Sequence, residues 1–251
     1  MLRKLNSALK TPLLRLAFKA LIFSGLLTWA GLGEKRFFPV LVFILAAVFI
    51  YFLHILNWRQ LFASFFVFLV LSMVFVFYFA PLISHFSFLI PIIFGFIFFL
   101  ILGIKNLIFI ERSAFYHLLN NLLFFLAFLF FFSQWSIMES PWFIVRYLLM
   151  FAVVLFLKKE FLAFLVLESP RRRLLISAGF AFIVLQVVWA ISYLPIGFLN
   201  SAALALPFVF VLGDFTIHHF GGSLNRRVVL RNATILIAII IVISAVSRWS
   251  L

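Results

Sequence analysis

The sequence predicts an all-α protein, a polytopic transmembrane helical bundle of about nine spans that forms one integral membrane domain over residues 1–251. Three observations carry that expectation. Of the 251 residues, 67% are hydrophobic and only 10% charged, with a mean hydropathy of +1.31; soluble domains are roughly 45 to 50% apolar. Apolar runs of about 20 residues recur along the whole chain, each long enough to cross a hydrocarbon core about 30 Å thick as a helix rising about 1.5 Å per residue. Those runs, 37–56 being the plainest, lack the polar/apolar alternation that barrel strands require.

At the N-terminus, residues 1–10 place Leu2, Leu5 and Leu9 on one helical face with Lys4 and Lys10 off it. That is the pattern of a short interfacial helix, a frayed basic terminus being the alternative. Thr11 and Pro12 then read as a cap with Pro in the first turn, opening a first span to about Gly33. Lys19 shortens the apolar part, so this is the weakest span. A signal peptide is the other reading of such a start, but Arg15 and Lys19 interrupt the apolar region and no small-x-small cleavage site follows.

The remaining spans fall at 37–56, 61–83, 88–104, 114–133, 142–157, 174–194, 201–217 and 228–247. Lys and Arg distribute unequally between alternate loops, as topology requires. One set holds Arg3, Lys4, Lys10 and Arg15, then Arg59, Lys105 with Arg112, Lys158 and Lys159 with Arg171, Arg172 and Arg173, and Arg226 with Arg227. The other holds Lys35 and Arg36, the uncharged Ser84-His85 turn, the acidic loop 134–141, the uncharged loop 195–200 and Arg248. The bias puts the N-terminus in the cytoplasm and, after nine crossings, the C-terminus outside. Lys35 and Arg36 violate it.

The longest loop, 158–173, is expected at the cytoplasmic surface, where its seven-residue apolar patch 161–167 either lies flat or extends the sixth helix. Seven helical residues reach only about 10 Å and do not cross. Phe supplies 40 residues and Gly only 10, with no two glycines at GxxxG spacing. Close glycine-mediated crossings are therefore not the expected packing mode. Trp29, Trp58, Trp135, Trp142 and Trp249 fall near span ends, where an indole N–H reaches headgroups. Pro91 and Pro207 are candidate kink sites.

A net charge of +14 would suggest nucleic acid for a soluble protein. Here the cations lie in short connectors, so they encode orientation and attraction to anionic headgroups at the cytoplasmic face. The expected partners are the bilayer and another membrane protein, with no nucleic acid. Cys is absent, which excludes disulfides and thiolate metal sites.

Polar chemistry concentrates in residues 214–231, which hold the single Asp, two of the five His and a Gly-Gly turn. Asp214 and His218, four apart, share a helix face, with Arg226, Arg227 and Arg231 beyond the turn at Gly221 and Gly222. Two readings follow. Asp214 and His218 are catalytic candidates in an acid-base or phosphate-binding patch whose Arg residues act as planar donors. Alternatively, Asp214 pairs with an Arg to stitch the last two helices, the commoner outcome. No metal is expected, because His218 and His219 diverge by about 100 degrees and no HExxH or multi-His box completes a set. A second polar group runs from Arg112 through His117, Asn120 and Asn121 in the fifth span, and Gln186, Trp189 and Tyr193 form a comparable stripe in the seventh. Facing each other, the stripes would make a polar seam, either a small cavity in which Arg112, His117, Asn120, Asn121 and Gln186 are ligand-binding candidates or a satisfied interhelical network. Arg146 is expected to snorkel outward toward Glu139. The glycosylation sequon at Asn232, Ala233 and Thr234 falls at the inner membrane border and is discounted.

No P-loop, Rossmann fingerprint, GxSxG or zincin motif occurs, and no cofactor is expected. The six carboxylates lie near span ends or in loops, which disfavours a proton-coupled transporter. The expectation is a non-catalytic component of a prokaryotic inner membrane that packs with other membrane proteins or lipid. The alternative is a membrane-embedded enzyme or carrier acting on a lipid-linked, phosphate-bearing substrate at the inner leaflet.

Overall fold

The structure, a computed structural model, describes residues 12–32, 37–52, 61–78, 89–106, 111–133, 143–165, 169–220, 222 and 224–246. The expected interfacial segment 1–10, Lys35 and Arg36, Arg59, the Ser84-His85 turn, the loop 134–141 with Glu139, and Arg248 lie outside the described residues. Among the described residues there are nine helices and no strand. They are α1 Pro12–Leu32, α2 Phe37–Phe52, α3 Phe62–Tyr78, α4 Leu89–Lys105, α5 Arg112–Ser133, α6 Phe143–Leu165, α7 Pro170–Ser192, α8 Phe198–Phe220 and α9 Arg226–Val246. Four of them, over Pro12–Gly31, Arg112–Ser133, Pro170–Ser192 and Phe198–Phe220, are long and apolar enough to cross a membrane.

Local chemistry accounts for several ends. Ser169 in extended conformation precedes Pro170 at the start of α7, where a missing N–H costs nothing. Pro91 likewise falls in the first turn of α4 rather than at a mid-helix kink, while Pro207 lies inside α8, which runs on through it. Gly222 holds φ +65 between α8 and α9, a left-handed conformation that glycine adopts without steric cost. At the far end of α6 the helix continues past Lys158 to Leu165. Of the two arrangements expected for the apolar patch, extension of the sixth helix is the one present, and the connector before α7 is shorter than 158–173.

The chain divides into two compact units, one spanning Met1–Leu119 and one Asn120–Leu251, with α5 running across the division. In the first unit α1 is the hub, packing on α2, α3 and α4. Its buried residues Leu16, Ala20, Phe23, Leu27 and Ala30 recur at helical steps. Phe23 meets Phe43 of α2 at 5.0 Å, Phe68 of α3 at 5.4 Å and Phe98 of α4 at 4.3 Å between ring centroids. The span that looked weakest in the sequence is thus the centre of this unit. Lys105, 1% exposed at the end of α4, donates to the Tyr51 carbonyl at the end of α2 and stands 3.7 Å over the Tyr51 ring. A cation there meets the negative end of the α2 dipole and the face of a π-system.

Packing in this unit corrects the expectation about glycine. A Cβ on Gly95 of α4 would lie 3.0 Å from the Ser24 Cβ and 3.3 Å from the Ala20 carbonyl oxygen of α1. The crossing is a close one made by small residues. Ala20 and Ser24 supply a small-xxx-small pair on one helix against a single glycine on the other, a pattern that a search for glycine pairs misses. Gly95→Leu is expected to cost at least about 1–3 kcal/mol by overpacking. Gly25→Ala, with nothing within 4 Å of the added methyl, is expected to be neutral or stabilising by about 0.5–1 kcal/mol. Unfolding midpoints in detergent check both.

In the second unit α6 packs on α7, α7 on α8 and α8 on α9. Phe131 of α5 meets Tyr147 of α6 edge-on at 5.1 Å.

Candidate functional site

Helical spacing puts Asp214 and His218 on one face of α8, and the Gly222 turn folds α9 back so that its second turn meets that face. The Asp214 Oδ2 atom accepts from Arg231 Nη2 at 3.1 Å and from Asn232 Nδ2 at 2.5 Å. Its Oδ1 lies 3.5 Å from His218 Nε2. The side chains differ in surroundings: Asp214 is 22% exposed and Arg231 59%, while Asn232 is buried at 1%. The Oδ1 of Asn232 has no donor among the described residues. The cluster therefore closes the sequence-predicted Asp214, His218 and Arg231 around a residue whose role the sequence did not suggest. Burial of Asn232 also removes the sequon from use.

Arg226 and Arg227 are exposed in the first turn of α9 and do not join this cluster. They sit where unpaired backbone N–H groups and the positive helix end favour anions. Arg171 and Arg172 are exposed in the first turn of α7, and the Arg172 guanidinium lies 5.2 Å over the Phe220 ring at the end of α8. Two Arg-bearing helix starts therefore flank one helix end, and His219 is exposed beside them. The result is a basic crown on this end of the second unit.

Beneath the crown lies a residue that sequence reasoning counted as loop charge. Lys158 is 2% exposed, with its Nζ 4.5 Å from the Phe161 ring centroid and 4.3 Å from that of Phe180. A Cβ on Gly213 would come within 3.2 Å of that Nζ, so the absence of a side chain next to Asp214 makes room for the ammonium group. The available signal was Phe161 three residues on, on the same helix face.

No protein-family model, curated protein or solved structure matches the chain. Among the described residues no three His, Asp or Glu gather as metal ligands.

The second polar group divides between the units. Arg112, at the start of α5, donates from Nη2 to the Ile104 carbonyl at 3.1 Å, and His117 is half-buried one and a half turns on. Asn120 is 4% exposed and its Oδ1 has no donor among the described residues, while Asn121 is half-buried. Gln186 is exposed on α7, as are Trp189 at 50% and Tyr193 at 66%. Among the described residues no hydrogen bond joins Asn120 to Gln186. Gln186 instead lines a cleft of about 180 Å³ with Tyr147, Phe182, Leu185 and Trp189. Arg146 is half-buried.

Proposed function

We propose that this chain is a non-catalytic component of a prokaryotic inner membrane, crossing it nine times with the N-terminus in the cytoplasm and the C-terminus outside. It packs against other membrane proteins and holds anionic headgroups on its basic crown. The observation that carries this is the state of Asp214. Its carboxylate is occupied by Arg231 and Asn232 from the next helix, which makes it a clasp between α8 and α9. The buried oxygen left over on Asn232 is an acceptor, and a phosphate needs donors. Anion attraction falls instead to Arg226 and Arg227, whose side chains are exposed at a helix start. Four helices of spanning length and the uneven loop charges support the topology.

A second reading draws on the same pair of arginines. Side by side at the N-terminus of α9, they suit a lipid-linked phosphate substrate of a membrane-embedded enzyme or carrier at the inner leaflet. Native mass spectrometry after mild-detergent extraction separates the two. Bound anionic phospholipid, lost in the Arg226→Gln, Arg227→Gln double variant, is the expected result. Retention of a polyprenyl phosphate in preference to phospholipid would replace the first reading with the second.

A further inference from the structure

Along α7 and its C-cap, Leu175, Gly179, Phe182, Gln186, Trp189 and Tyr193 succeed one another at steps of four, three, four, three and four. All six are exposed. Alternating steps of four and three are the heptad spacing of the seam by which two helices pack side by side. Its centre is Gln186, six residues before the end of the helix and so about 9 Å along it at 1.5 Å per residue. On a helix that crosses the bilayer, an amide at that depth has no partner in the acyl chains.

We infer that this seam is the contact face for the same seam of a second copy of the chain. Copies inserted in one membrane share an orientation, so a two-fold axis along the membrane normal brings each residue against its counterpart at equal depth. A glutamine amide both donates and accepts, and Gln186 is therefore complementary to itself in that arrangement. Gly179, with nothing within 4 Å of a Cβ, lets the two backbones approach. The cleft beside Gln186, at about 180 Å³, is smaller than the roughly 300–1,000 Å³ of small-molecule pockets. It suits one inserted side chain, as a hole takes a knob. Arg172 would continue the stripe by one step, but its guanidinium is drawn onto Phe220, which takes that charge out of the seam.

The inference rests on the membrane reading above, and the test separates the two. Because the chain has no Cys, single substitutions can be oxidised in native membranes without a background. Phe182→Cys, Gln186→Cys and Trp189→Cys are expected to give a covalent dimer. Val184→Cys, buried on the opposite face, and Ile241→Cys, exposed on α9, are expected to stay monomeric. Gln186→Leu is expected to weaken dimerisation in mild detergent by roughly five- to tenfold, the loss of one or two interhelical hydrogen bonds. Seam cysteines that stay monomeric, equal dimer yield at Ile241→Cys, a cross-link to a different polypeptide, or an unchanged Gln186→Leu dimer would each overturn the pairing. Release of the wild-type protein by alkaline carbonate would instead overturn the membrane reading.

Discussion

Phe98→Ala is expected to destabilise the first unit by about 3 kcal/mol, the low end of the range for emptying an aromatic site. Phe98 is 0% exposed and stacks on Phe23 at 4.3 Å, with Phe68 at 6.2 Å and Phe65 at 6.4 Å. The low end applies on the proposed membrane reading, in which helices already in lipid gain nothing from leaving water. What the ring contributes there is close contact, and its removal strips dispersion partners from rings on α1 and α3 while leaving a void between them. Phe98→Leu, which refills most of the space, is expected to lose less than half as much. Unfolding followed by Trp fluorescence in a detergent titration gives the comparison. An unchanged midpoint for Phe98→Ala would mean that the Phe23 cluster does not hold α1 to its neighbours.

That α1 needs holding was not legible in the sequence, and the reason is physical. The existence of the helices could be read from the length of the apolar runs, and the start of α1 from Pro12 behind Thr11. Which face of each helix is buried could not. On α1, buried Phe23 and Leu27 follow Leu21 at 69% and Ile22 at 40% exposure, all of them apolar. A helix that is oily all round offers no contrast from which to choose its packing face. Small residues were the remaining clue, and Gly95 against Ala20 and Ser24 appears only once two distant helices are set side by side.

Charged residues misled in the opposite direction. Lys105 and Lys158 sit at the ends of apolar runs, so position alone assigned them to connectors. Both lie within their helices and are buried over aromatic rings. A lysine stem is apolar over most of its length, and a π-face accepts its ammonium group. At the candidate site the spacing of Asp214, His218 and Arg231 was readable because a turn and a helical period suffice to predict it. Asn232 was not, because its importance comes from being buried at the contact, which no local pattern announces.

Asp214→Ala is expected to cost the second unit about 1–3 kcal/mol, the penalty for leaving a buried polar group without its hydrogen bond. The loss arises mainly at Asn232, whose one side-chain hydrogen bond among the described residues is to Asp214 and which is 1% exposed. Arg231, at 59% exposure, recovers water when its partner goes, so Arg231→Ala is expected to cost under about 1 kcal/mol. Asp214→Asn is expected to stay close to the unsubstituted protein, because the amide oxygen still accepts from Asn232. The ordering of the three midpoints tests the clasp directly. It also bears on function, since an acid that transferred protons would lose its activity on conversion to asparagine while its fold survived. If Asp214→Asn abolishes a measurable cellular phenotype at normal protein level and normal midpoint, Asp214 serves chemistry. If the phenotype follows stability, falling for alanine and holding for asparagine, Asp214 serves to keep α9 against α8 and the Arg226 and Arg227 pair in its place at the head of that helix.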